Sequence, residues 1–272
     1  MTLLIRELER TESRVLGALR CVDASTGAGI ETPLQVQVAG ARIRRNRSGL
    51  YVLVQADTPA LLALHEAAFD APPALPAVGS VAFTASIEDP SGRYLPRLAT
   101  LALPRDPLPA NAALPGSLFR AIDIPMYPAG VAPLGANWAV LRVSVRDGAS
   151  GDALGGALLR VRSGGQVLAL GLSDWRGEAL VPVPGVPATT WSEDPDAVVV
   201  SEIAAQLEGA FDALTGTRVS AAQVQAGQAP HTLPRVDPQD LETRFALLPN
   251  ATQALQLASG RSQSVTLTLA LP

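Results

Sequence analysis

The sequence has no lysine: all 21 of its basic residues are arginine. Arginine grips carboxylate and phosphate with two parallel hydrogen bonds, but the abundance of Ala, Gly and Pro points to the coding bias of a GC-rich genome. The missing lysine therefore assigns no anion site. A single cysteine, Cys21, excludes a disulfide within the chain. It shares a strand face with Leu19, which predicts a buried, inert thiol. The two histidines, His65 and His231, stand apart from any cysteine or carboxylate at metal or catalytic spacing. Nucleophile elbow, zinc-protease helix, phosphate loop and dinucleotide fingerprint are all missing. These absences predict a chain that is not an enzyme and has neither cofactor nor metal.

No apolar run approaches the roughly 18 residues that a membrane span needs. Charge at Arg6 and Glu7 interrupts the start before a signal-peptide core can form. The expectation is a soluble, cytoplasmic protein. The net charge of −4 argues against a nucleic-acid partner held by counterion release.

What the chain does have is turns and alternation. Its 23 Gly and 23 Pro favour many short strands over long helices. Leu141, Val143 and Val145 alternate with Arg142, Ser144 and Arg146, the pattern of a half-buried strand. After a turn at Asp147–Gly151, Leu159 and Val161 resume the alternation, as do Leu168, Leu170 and Leu172 beyond Gly164-Gly165. A second turn, Asp174–Gly177, leads into a strand from Glu178 to Val183. Strands are also expected at 16–23, 34–38, 50–54, 81–87 and 98–103. The stretch 203–211 suits a helix or a strand; the β-branched run Val198–Val200 before it favours strand. Short helices are expected after Thr58-Pro59 and at Asp237-Pro238.

The chain repeats itself. Asp23…Gly27 matches Asp147…Gly151, Asn46…Gly49 matches Asp174…Gly177, and Thr100–Pro104 recurs as Thr268–Pro272. Two domains of one fold follow: residues 1–104 with an N-terminal arm, and residues 137–272 with an insertion at about 217–262. Between them, 105–136 is rich in proline and reads as an extended connector.

The run Val143–Asp147, Gly151, Gly156–Val161 and Ser173–Ala179 resembles the carboxypeptidase-regulatory-like, transthyretin-like β-sandwich family. The resemblance implies an all-β fold of two tandem Ig-like sandwiches with one or two short helices, accessory in role. The whole chain also looks like accessory β-proteins of phage-tail-like contractile injection systems, on the phrases Asp89–Arg97 and Gly177–Pro187. That resemblance implies a non-enzymatic structural component whose partners are other protein subunits, a second copy of the chain included, within a particle later released. The alternative is an adhesive or carbohydrate-binding module using Trp138, Trp175 and Trp191.

Candidate contact residues are the crowded arginines Arg42, Arg44, Arg45 and Arg47, read either as an anion contact or as a charged edge that resists strand pairing, and Trp175. Asp23, Gly27, Asn46, Gly49, Asp147, Gly151, Asp174 and Gly177 read as turn-makers. Asp194-Pro195-Asp196 and Asp237-Pro238-Gln239-Asp240 offer oxygens to calcium, but lack the dense spacing of a calcium loop and read as turns and caps.

Overall fold

A computed structural model describes residues 15–56, 76–187, 190–191, 198–199 and 202–272. The N-terminal arm, the helix expected after Thr58-Pro59, His65 and the Asp194–Asp196 stretch lie outside the described residues, as does the side chain of Trp191. The fold is all-β, of sandwich character, with two short helices among the described residues. Contacts divide the chain into two units, one of residues 1–19, 38–83 and 102–122, the other of residues 20–37, 84–101 and 123–272.

In the smaller unit, the first three residues of β1 (Gly17–Asp23) meet β4 (Tyr51–Ala56) edge to edge, and β4 in turn meets β3 (Ala41–Arg45). Gly17 of β1 stands opposite Leu53 of β4, and Leu19 opposite Tyr51. The β3–β4 pair is antiparallel, with a register shift between Arg42 and Ile43. Of strand β2 (Gln35–Val38) only Val38 belongs to this unit, where it stands opposite Ala41 of β3.

The larger unit contains most of β5 (Val81–Glu88) and β6 (Arg97–Leu103), and all of β7 (Ile122–Met126) beyond its first residue. Strand β7 lies inside the stretch expected to be a connector, and a short 3-10 turn occupies Pro109–Asn111.

From residue 139 onward the larger unit is a sandwich. One sheet contains β8 (Ala139–Asp147), β9 (Ala153–Gly155), β12 (Glu178–Val183), β16 (Thr217–Val219) and β18 (Ser262–Leu269). The other has the order β11 (Gln166–Leu172), β10 (Leu158–Ser163), β15 (Glu202–Ala210), β17 (Asn250–Ala258). The short pair β13 (Thr190–Trp191) and β14 (Val198–Val199) stands apart. Leu141, Val143 and Val145 are completely buried, as the alternation predicts, and Leu159, Val161, Leu207 and Leu267 meet them in one core. Each fully buried aliphatic side chain contributes about 2 kcal/mol. Strand β18 runs parallel to β8 along its length, from Ser262↔Val140 to Leu269↔Asp147. Such a pairing needs a long connection, and here the remainder of the sandwich supplies it.

The stretch expected to be strand or helix at 203–211 is strand β15, which runs from Glu202 to Ala210, with Ala205 and Leu207 buried in alternation. Residues 217–262 hold a strand that alternation did not reveal, β17, paired with β15 over nine positions. They also hold helices α1 (Ala221–Gln225) and α2 (Pro238–Thr243), the latter at the expected place with Asp237 as its N-cap. Leu241 of α2, with Phe245, packs against Leu158, Leu172 and Ala210, and so covers part of the second sheet's outer face.

The repeated turns share their hydrogen bonds. Gly27 N–H donates to Asp23 O and Gly151 N–H to Asp147 O, while each Asp side chain accepts from the amide two residues on. The Asp212–Gly216 turn repeats this pattern. At the other pair, Leu50 N–H donates to Asn46 Oδ1 and Glu178 N–H to Asp174 Oδ1. Gly177 has φ +75°, and a Cβ there would lie 2.5 Å from the Val145 carbonyl oxygen. Gly177→Val is therefore expected to cost at least about 2 kcal/mol and to lower Tm by roughly 5 °C, measured by thermal denaturation; an unchanged Tm contradicts the turn assignment.

Candidate functional site

Trp175 sits in the turn between β11 and β12, half-buried. Its position is set from below: Gly155 passes so close that a Cβ there would stand 2.8 Å from Trp175 Cα and from the Asp174 carbonyl oxygen. Ser173, fully buried, donates to Leu154 O at 2.7 Å and accepts from Ala157 N–H at 2.8 Å, anchoring the approach to the turn. The Asp174 carboxylate accepts from the Arg176 guanidinium and from the Arg176 and Glu178 amides. The indole is thereby held at the rim of a groove of about 660 Å³.

The groove's other walls come from sequence stretches far from Trp175. Glu88, Asp89, Tyr94 and Pro96 form one side, and His231, Leu233 and Arg235 another. A smaller apolar hollow adjoins it, lined by Leu95, Leu172, Trp175 and Pro234. Arg235 donates to Glu88 Oε1 at 2.6 Å. Asp89 is held below the usual carboxylate range: burial opposes its charge, but hydrogen bonds from Ser91, Tyr94 and Arg93 outweigh burial. Tyr94 donates its hydroxyl proton to Asp23 Oδ2 at 2.9 Å, and burial together with that bond pushes the phenol up to about 12. The groove thus joins an indole face to an ion pair, a carboxylate and an exposed imidazole, an arrangement suited to binding a polar ligand with one flat apolar face.

Arg42, Arg44, Arg45 and Arg47 are exposed on β3 and its following turn, with the Arg45 guanidinium 5.9 Å from the Tyr51 ring centre. Trp138 folds back over Gly135, whose Cβ would fall 2.5 Å from the indole, so its ring is spent on local packing. The Cys21 thiol is buried, and burial raises it to about 11.

Sequence reasoning missed the distant groups that fasten the turns. Arg218 bonds Asp147, Ser150 and Asp152. Arg244 bonds Asp212 and Asp240. Arg160 lies 3.5 Å over the Phe245 ring centre and pairs with Glu208 and Glu242. Most buried of all is Arg97, 1% exposed, which donates to Leu98 O, Pro125 O and Asp237 Oδ1. Asp237 also accepts from the Thr100 and Gln239 amides, so its oxygens are committed to a cap and a clamp. Among the described residues no group of three or more His, Cys, Asp or Glu is placed to hold a metal.

No protein-family model matches the chain, and no curated protein matches it in sequence. Asp237 and Asp240, three residues apart, differ in burial: Asp237 has 12% of its side chain exposed and Asp240 has 51%. Asp237→Ala strands the Arg97 guanidinium and is expected to cost about 3 kcal/mol or more, whereas Asp240→Ala is expected to cost under about 1 kcal/mol. Urea denaturation of both variants checks the difference; equal losses contradict the clamp.

Proposed function

We propose that this chain is a non-enzymatic structural component of a multi-subunit particle, acting through protein–protein contacts made by rigid β-surfaces. The observation that carries the reading is a pair of long strands, β17 and β18, each paired with one strand only among the described residues and containing no charged residue. Open neutral edges are surfaces to which another chain adds by main-chain hydrogen bonding. Much of the side-chain chemistry supports the same reading, because Arg97, Arg160, Arg218 and Arg244 are committed to clamps within the fold. The transthyretin-like pattern at 143–179 and the phrases Asp89–Arg97 and Gly177–Pro187 favour a phage-tail-like contractile injection system as the particle. In that setting the chain is made in the cytoplasm and leaves within the particle. An affinity-tagged copy purified from its own cells is expected to bring sheath, tube or baseplate proteins with it. Recovery without any such protein contradicts the proposal.

The groove beside Trp175 favours a second reading, a carbohydrate-binding module in which a sugar ring stacks on the indole and bonds the Glu88–Arg235 pair. Binding on a glycan array that Trp175→Ala abolishes is the outcome this reading requires. A blank array counts against it.

A further inference from the structure

Strand β17 is bonded along one side to β15, in unbroken register from Ala210↔Asn250 to Glu202↔Ala258. On its other side no strand stands beside it among the described residues, because the sheet order ends there. Natural edges of this length, about 30 Å for nine residues, are ordinarily blunted by charge, proline or a bulge. The sequence Asn250-Ala-Thr-Gln-Ala-Leu-Gln-Leu-Ala258 carries none of the three. The nearest charges beyond it, Arg261 and Glu202, already pair with each other at 3.3 Å. A cleft of about 290 Å³ lined by Gln256, Leu257, Val140 and Gln263 opens between β17 and the other sheet, so the sandwich is not closed along this side.

We infer that the free edge of β17 pairs antiparallel with β17 of a second copy of this chain, about a two-fold axis at Ala254. The inference rests on the assembly reading above and names one of its partners. Ala254 is the midpoint of the strand, and a two-fold axis there brings each residue against one of the same face. On the outer face Ala254 meets its own counterpart, and exposed Thr252 meets exposed Gln256, a polar pair able to hydrogen-bond. On the core-facing side Ala251 meets buried Leu257, and Gln253 meets buried Leu255. Two-fold pairing sets equivalent edges together, so any net charge on the edge confronts the same charge in its copy. An edge without charge carries no such cost, and the four-stranded sheet continues across the axis as eight strands.

Light scattering and sedimentation of the purified full chain test this. The wild type is expected at the mass of a dimer. Ala254→Lys, at an exposed position, sets two ammonium groups face to face and is expected to give a monomer. An equimolar mixture of Ala254→Lys with Ala254→Glu is expected to recover the dimer mass, which a merely unfolded variant cannot do. Gln256→Lys, exposed on the same face, provides a second variant and is expected to weaken the dimer likewise. A monomeric wild type, or a dimer that survives Ala254→Lys, overturns the inference. A monomer that still captures sheath or baseplate proteins overturns this pairing and leaves the assembly reading standing, whereas a dimer that captures none has the opposite meaning.

Discussion

The guanidinium of Arg97 is almost wholly removed from water, and groups from other parts of the chain replace the water it has lost. Burial lowers its affinity for the proton, against which Tyr127 and Asp237 act. Its donors end on the carbonyls of Leu98 and Pro125 and on the Asp237 carboxylate, which lies 140 residues further along the chain. A buried ion pair of this kind is no proof of net stability, since desolvation offsets much of the attraction. What it enforces is arrangement, because removing either partner leaves the other buried without its counter-charge. Leu98 N–H donating to Val236 O at 2.8 Å continues the same attachment along the backbone. Residues 84–101 therefore belong with residues 123–272 by chemistry as well as by contact.

The other clamps follow this logic at lower burial. An aspartate opens a turn by accepting local amides, and a side chain from elsewhere then takes its remaining oxygen: Tyr94 at Asp23, Arg218 at Asp147, Arg244 at Asp212. The first half of each device is local and was legible. Asp followed at fixed spacing by Gly predicts the turn, and Asp237-Pro238 predicts a capped helix. The second half depends on tertiary placement, and a lone Arg218 or Arg244 in sequence looks like any other arginine.

The strands divide the same way. Those with one wet and one dry face, β8 among them, announce themselves by alternation, as Leu141 to Val145 do. The alternation of β15 also suits a helix, and needs the β-branched run before it to favour a strand. Strand β17 does not announce itself, because Thr252, Gln253 and Ala254 are all exposed at the unclosed side of the sandwich. Strand β7 was hidden by its proline, yet Pro125 contributes there the carbonyl that receives Arg97. The groove was half legible: Trp175 stood out in its turn, whereas the walls from Glu88–Pro96 and His231–Arg235 are brought to it only by folding.

The central claim is that the Arg97–Asp237 attachment is part of the cooperative core and not a surface strap. Native-state hydrogen exchange at the Leu98 and Thr100 amides, which donate to Val236 O and to Asp237 Oδ2, reads this directly. The account predicts that both exchange only with global unfolding, at the rate of the Val143 amide in the sandwich core. Exchange of either through a faster local opening would contradict it.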